Sequence, residues 1–188
     1  MRILLLILLI GLQFPAFSQT IFSVNPSHSK CSWMGSAAVG LYKVEGTLDV
    51  RSGSLEFNDK TLLTGQLTMD MQSLETENKQ MKKHLKGKDF FETKNFPMAS
   101  FQTNGTLEFQ EGDLAVPGAI EIKGIRQAIV VPLKLERHRT QIELTGILTL
   151  DRTDFGITYN SPNFFENVGD QAISDEIEFR FHLVFDRE

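Results

Sequence analysis

Few groups in this chain could carry out chemistry. The four histidines, His28, His84, His138 and His182, fall in four separate segments. None shows the His-x-His, His-Glu-x-x-His or Cys-x-x-Cys spacing that sets metal ligands on one turn or strand. No Gly-x-Ser-x-Gly elbow, phosphate loop or dinucleotide fingerprint occurs. The single cysteine, Cys31, alternates with Trp33 as a buried small hydrophobe does, and it has no partner for an internal disulfide. Asp151, Asp154 and Asp170 lie in turn-forming segments, where carboxylates cap and turn the chain more often than they work as acid and base. Arg152 and Asp154, two residues apart, are placed to pair with each other. The expectation is therefore no metal, no cofactor and no catalysis.

Two other groupings could recognise a ligand. Lys79, Lys82, Lys83 and Lys86 stand at i, i+3, i+4 and i+7 of a helix expected over residues 76–86, with Met81 and Leu85 on another face. Such a stripe is either a solvated face over two apolar anchors or a basic rim that attracts an anionic headgroup or a membrane surface. Phe90-Phe91 and Phe164-Phe165 are adjacent aromatic pairs. Neighbours on extended chain point to opposite sides, so one ring of each pair can plug a core while the other faces a ligand mouth or solvent. Both rings capping the end of the fold is the other arrangement.

The elements that must position these groups are strands. Period-2 alternation recurs at Val44 to Val50, Leu63 to Met71, Phe101 to Phe109, Leu114 to Ile122, Ile129 to Leu135, Ile142 to Leu150 and Ile177 to Phe185, after short strand candidates near Thr20 and Cys31. That is about eight strands at the spacing of a sandwich or barrel. One short helix cannot cover such a sheet, so the sheet must cover itself, and closure alone leaves no exposed edge. Gly46, Gly65, Gly105, Gly118 and Gly146 all fall on apolar-face positions, which favours sharp bending or a close approach to the backbone, and hence a barrel with room inside. After Leu150 the apolar parity switches from even to odd at Phe155, Ile157 and Tyr159, so the chain must break there. Residues 160–174, holding Phe164 and Phe165, form the longest loop, and long loops in compact domains are usually functional.

At 188 residues the chain suits one domain. Met1-Arg2, an apolar run over residues 3–12, and Ala16 and Ser18 around Phe17 form the pattern of a cleaved secretory leader, residues 1–18. The run is too short for a membrane span of roughly 20 residues. The expected mature domain is then residues 19–188, periplasmic or secreted. The chain carries 19 Lys and Arg against 24 Asp and Glu, a net charge of −5, and nucleic acid is thereby an unsuitable partner. Fifteen Phe against two Tyr and one Trp make the aromatic content non-polar.

Four stretches also carry a resemblance. Leu85, Asp89-Phe90-Phe91, Phe96-Pro97 and Ser100-Phe101, then residues 118–125, then residues 151–159, then Phe164-Phe165 through Gly169-Asp170, together resemble the YceI-like family of bacterial polyisoprenoid-binding proteins, over nearly the whole mature chain. The resemblance implies an all-β, extended antiparallel eight-stranded β-barrel, lipocalin-like, with one short amphipathic helix. It also implies carriage of a long-chain isoprenoid or fatty lipid in an apolar lumen, with no reaction. The motifs and the long aromatic loop put Phe90, Phe91, Phe101, Phe155, Ile157, Tyr159 and Phe164 at the ligand wall, and on the sharper reading of the helical spacing Lys79, Lys82, Lys83 and Lys86 form a headgroup or surface rim. Transient membrane-surface contact and a homodimer are compatible with it. The competing readings are a stress or interaction protein whose barrel is filled by its own side chains and, more distantly, an enzyme on the same scaffold.

Overall fold

The computed structural model describes residues 19–166 and 168–188; the expected leader, residues 1–18, lies outside them. Ten strands form one antiparallel sheet: β1 (Gln19–Val24), β2 (Lys30–Ala37), β3 (Lys43–Asn58), β4 (Thr61–Thr76), β5 (Met98–Thr103), β6 (Leu107–Glu108), β7 (Gly112–Ile122), β8 (Ile125–Arg137), β9 (Gln141–Asp151) and β10 (Ile173–Arg187). The order β3-β2-β10-β9-β8-β7-β5-β4 closes on itself through pairing of β3 with β4. Ten strands occupy eight ring positions, because two positions are each shared by a pair. β1 and β2 both lie between β3 and β10, one at each end. β5 and β6 both pair with β4, but only β5 also pairs with β7. The expected eight-stranded barrel is thus the observed one.

The interruptions have local causes. Asn25 turns the chain between β1 and β2, its side chain accepting from the amides of Ser27 and His28. The strand expected to run unbroken from Phe101 to Phe109 is split, and Gly105 sits in the split with φ +68°, so it serves a turn and not the inner face. Inner-face glycines elsewhere make notches for rings. A Cβ on Gly118 would lie 2.3 Å from the Phe101 ring, and one on Gly146 would lie 2.5 Å from that of Phe181.

The helix, α1 (Lys79–Leu85), is shorter than the expected 76–86, because β4 holds the chain extended to Thr76 and Asn78 then caps the first turn by accepting from the Gln80 and Met81 amides. It sits at one end of the barrel, called upper here, with the β2-β3 and β7-β8 turns and residues 152–172. The β3-β4 and β8-β9 turns lie at the lower end.

The change of face after Leu150 is a 3-10 turn, Arg152–Phe155, that leaves the sheet. Arg152 does not pair with Asp154. Its guanidinium is buried, 2% exposed, and lies 3.0 Å from Asp175 on β10. It also donates to the carbonyls of Ile157 (2.6 Å), Ser174 (2.9 Å) and Ile173 (3.0 Å). Asp175 in turn accepts from the Ser161 hydroxyl and the Asn163 amide, both at 2.8 Å. Desolvation of both ions is offset only because nearly every donor and acceptor is used. Asp154 stays exposed at the surface.

Arg152→Ala should therefore leave a buried carboxylate without its cation and cost about 3 to 5 kcal/mol. In chemical denaturation this appears as a lowered midpoint, and Arg152→Lys should recover little of it, since an ammonium cannot reach three carbonyls and a carboxylate at once. Arg152→Met combined with Asp175→Leu should cost less than Arg152→Ala alone.

Candidate ligand-binding lumen

Two buried clusters stopper the barrel. The lower one is held by β-ladder residues, with Phe22 and Phe109 packed on Phe57 at ring distances of 5.8 and 5.2 Å. The upper one combines inward strand residues such as Trp33, Leu48 and Leu150 with Leu85 of α1, Phe90 and Phe91 from the following turns, and Phe155 and Ile157. Between them lies a cavity of about 150 Å³ whose accessible wall is apolar throughout. Leu67, Met69, Phe101, Leu133, Phe179 and Phe181 line it and remain only half-buried although they point into the barrel. The surface they leave uncovered faces this space.

Of the polar residues that adjoin the lumen, Cys31, Gln66, Ser100 and Thr103, the two with buried or half-buried side chains, Thr103 and Cys31, are not poised for reaction. The Thr103 hydroxyl accepts from the Gly65 amide at 2.9 Å. Cys31 is 8% exposed, and burial pushes its thiol up to about 11. The thiolate, the nucleophilic form, is thus suppressed at neutral pH. Among the described residues no group of three or more His, Cys, Asp or Glu has the geometry to hold a metal ion. His138 and His182 do converge on Glu143, at 3.6 and 2.8 Å, but on the outside of the barrel.

The residues that the sequence placed at the ligand wall do not share one surface: all but Phe101, which packs against the lower cluster, lie at the upper end of the barrel. Phe91 and Phe101 line the cavity. Phe90, Phe155 and Ile157 are buried in the upper stopper and do not. Tyr159 is 37% exposed and packs edge-on against His84 at 4.7 Å, with Phe90 at 5.6 Å, so these three rings clasp the helix to residues 152–159. Phe164 is 57% exposed on the upper loop. Of the lysines, Lys79 and Lys83 are exposed. Lys82 pairs with Glu75 at 2.8 Å, and this hydrogen bond holds the Glu75 carboxyl below its ordinary range. Lys86 donates to the Gln72 carbonyl at 2.6 Å. Most of the lumen wall, including Leu67, Met69, Leu133 and Phe181, was visible in the alternation but carried no motif to single it out.

The YceI-like domain family matches residues 22–185. The chain belongs to the YceI-like family. An uncharacterised-family relative from Shewanella sp. (strain W3-18-1), a UPF0312 protein, is 25% identical over 63% of this chain, and the match spans 66% of that relative's length, just under two thirds. A UPF0312 protein of Staphylococcus aureus (strain N315) is 27% identical over 75% of this chain and 84% of its own. Among solved structures, a polyisoprenoid binding domain from Saccharophagus degradans, implicated in plant cell wall breakdown, superposes with a TM-score of 0.69 at 18% identity, covering 89% of this chain and 98% of that one. Burkholderia cenocepacia BcnA gives 0.62 at 21% identity over 86% and 98%. At such identities the structural likeness establishes the YceI-like barrel itself, as the closed ring of eight positions already indicates.

The buried thiol of this YceI-like barrel makes a signed pH prediction. Below its ordinary value of 9.0 the thiol is protonated folded and unfolded, and contributes no pH dependence. Above that value the unfolded chain loses the proton while the folded one keeps it to about 11, so stability falls as pH rises through this window. The loss should approach about 2 to 3 kcal/mol at one pKa unit per 1.36 kcal/mol. Denaturation midpoints of wild type and Cys31→Ala, compared from pH 8 to 11, should show the extra alkaline slope in the wild type alone.

Proposed function

We propose that the protein is a non-catalytic carrier that holds one long-chain amphiphilic lipid, an isoprenoid or a fatty chain, by its apolar tail in the barrel lumen. The observation that carries this is the wall itself: half-buried leucine, methionine and phenylalanine side chains face a space with no charged group on its surface. Water gains nothing there, whereas each methylene transferred into it contributes roughly 0.8 kcal/mol. The relative from Saccharophagus degradans that is described as polyisoprenoid-binding supports the same class of ligand. A cavity of about 150 Å³ takes a benzene-sized guest. It therefore receives the end of a chain, and girth and length are selected more readily than identity.

Export is part of the proposal, resting on the leader pattern of residues 1–18. So is transient contact with a membrane surface. The β2-β3 turn shows Val39, Leu41 and Tyr42 at 65%, 97% and 60% exposure, and Phe164 and Phe165 on the neighbouring loop at 57% and 49%. Both loops stand at the upper end, joined by the Ala38 amide donating to the Ala172 carbonyl at 2.8 Å. Apolar loop tips with an interfacial tyrosine suit the headgroup region of a bilayer better than bulk water.

The test is native mass spectrometry and lipid extraction on protein purified from its own compartment, alongside Phe101→Ala. Carriage predicts an adduct of several hundred daltons. It also predicts that Phe101→Ala costs about 3 to 5 kcal/mol in stripped protein and clearly less in loaded protein, where the guest takes up the space. Equal losses in both preparations, with no extractable lipid, would replace the carrier with a self-filled interaction protein.

A further inference from the structure

The ladder between β8 and β9 covers only part of their length. Lys134, Leu135, Glu136 and Arg137 pair with Thr145, Leu144, Glu143 and Ile142. Above them β8 continues to Ile125 paired with β7 alone, and β9 continues to Asp151 paired with β10 alone. Among the described residues no ladder joins residues 125–133 to 146–151. Pro132, with no N–H to give, stands where the pairing ends. The upper end is joined again, by Gln127 Nε2 donating to the Asp154 carbonyl at 3.0 Å and by Ile125 lying against Gly156. A Cβ on Gly146 would lie 2.6 Å from the Pro132 carbonyl, so the strands are still in contact there, and between that contact and the upper joins the four residues 128–131 of β8 border a slot about 13 Å long at roughly 3.3 Å per residue.

The slot is apolar on both sides of the wall. Val131 and Leu133 on β8, and Leu148 and Leu150 on β9, line the cavity from within. Outside, Val130 and Ile147 are 58% and 49% exposed. The outward positions Ala128, Val130 and Pro132 are all apolar and exposed, where a solvated wall alternates with polar residues. Apolar side chains therefore flank the slot inside and out, with the unpaired peptide groups of the two strand edges between them. The other lapse in the wall, beside residues 112–116 of β7, borders the buried cluster of Phe57, Phe109 and Val116, where Phe109 and Val116 reach the lower edge of the cavity but are themselves 4% and 5% exposed.

Resting on the lipid-carrier reading above, we propose that the β8/β9 slot is the route by which a lipid chain crosses the barrel wall, its end in the cavity and its remainder along the Ala128-Val130-Pro132 stripe. Parting the wall anywhere along a continuous ladder would strip hydrogen bonds from groups facing an apolar guest, at the cost of each unsatisfied pair. Here no ladder has to break. Both barrel ends are stoppered, and the cavity is too small for a whole long chain, so a side opening with an apolar outer track accounts for where the rest lies. Unpaired strand edges also attract a further strand. The joins above and below leave no through-path for one.

The test places cysteines at the outward positions Val130 and Thr149, opposite each other when the β8/β9 register is extended, in a Cys31→Ala background. They are closed by oxidation or by a short bis-thiol linker. Thr145→Cys with His182→Cys, opposite each other in the intact β9/β10 ladder and below the slot, is the control. The probe is a fluorescently labelled fatty acid presented in phosphatidylcholine vesicles to the full chain. Closing the β8/β9 pair should slow uptake at least tenfold, reversibly for the disulfide, while the control pair leaves it unchanged. Hydrogen exchange without lipid should be faster for the amides of residues 129–131 and 148–150 that face the slot than for amides in the β9/β10 ladder. Uptake within twofold after closure, or equal exchange at both seams, overturns the route alone. Absence of uptake by the unmodified protein overturns the carrier reading and the route together. Dimerisation that Val130→Lys abolishes, without any effect of closure on uptake, would overturn it in favour of a face for a second copy.

Discussion

A guanidinium taken out of water holds the upper end of this barrel together. Where β9 stops pairing with β8, the sheet can no longer define the wall, and the segment after Asp151 must do so instead. Arg152 fixes that segment by turning back on the Ile157 carbonyl and bridging to β10 at Ile173, Ser174 and Asp175. Phe155 and Ile157 are carried into the stopper as a result, and Tyr159 reaches the aromatic clasp with His84 and Phe90. A hydrophobic residue at 152 could fill the same volume, but it could not direct four acceptors from two elements. Specification of one arrangement, more than added stability, is what a buried ion pair of this kind offers here.

Period-2 alternation was enough to find every ring position of the barrel, because a closed sheet with a dry inside and a wet outside imposes that period on each strand. Less visible were features set by partners far away in sequence. Arg152 read as the partner of Asp154, two residues on; its burial depends on Asp175, which lies beyond a long loop. Gly105 shared the parity of the inner-face glycines, and only its position in a turn set it apart. Phe90, Phe155 and Ile157 were legible as important and apolar, but whether a ring lines a space or stoppers it depends on where the chain is lifted off the sheet. The outward Val130 and Pro132 broke the alternation in plain view, yet an inward-facing pattern was already complete on Ile129, Val131 and Leu133, so nothing in periodicity asked why their neighbours were also apolar.

A lumen of this composition discriminates weakly by its nature. Dispersion and water exclusion act on any chain of suitable girth, and the polar groups that could read a headgroup lie outside the cavity. The basic stripe of α1 is partly committed to internal bonds, at Lys82 and Lys86. On the carrier reading proposed above, recognition beyond chain shape would fall to the loops at the upper end, which are the parts of a barrel that tolerate sequence change without unsettling the ladder.

The sharing of one ring position by β1 and β2 governs how such a chain can acquire its structure. The 15 residues of β10 pair with β1 and β2 on one side and with β9 on the other. Until they are available, β9 and β2 are open edges, and the first strand has no neighbour on one flank. Most of the ring can form from consecutive hairpins, but its final closure joins segments more than 140 residues apart, as in the pairing of Phe22 with Arg187. A chain built this way completes its ring only once β10 has been made, and its closing step belongs with the slow, topology-limited folding of other β-barrels.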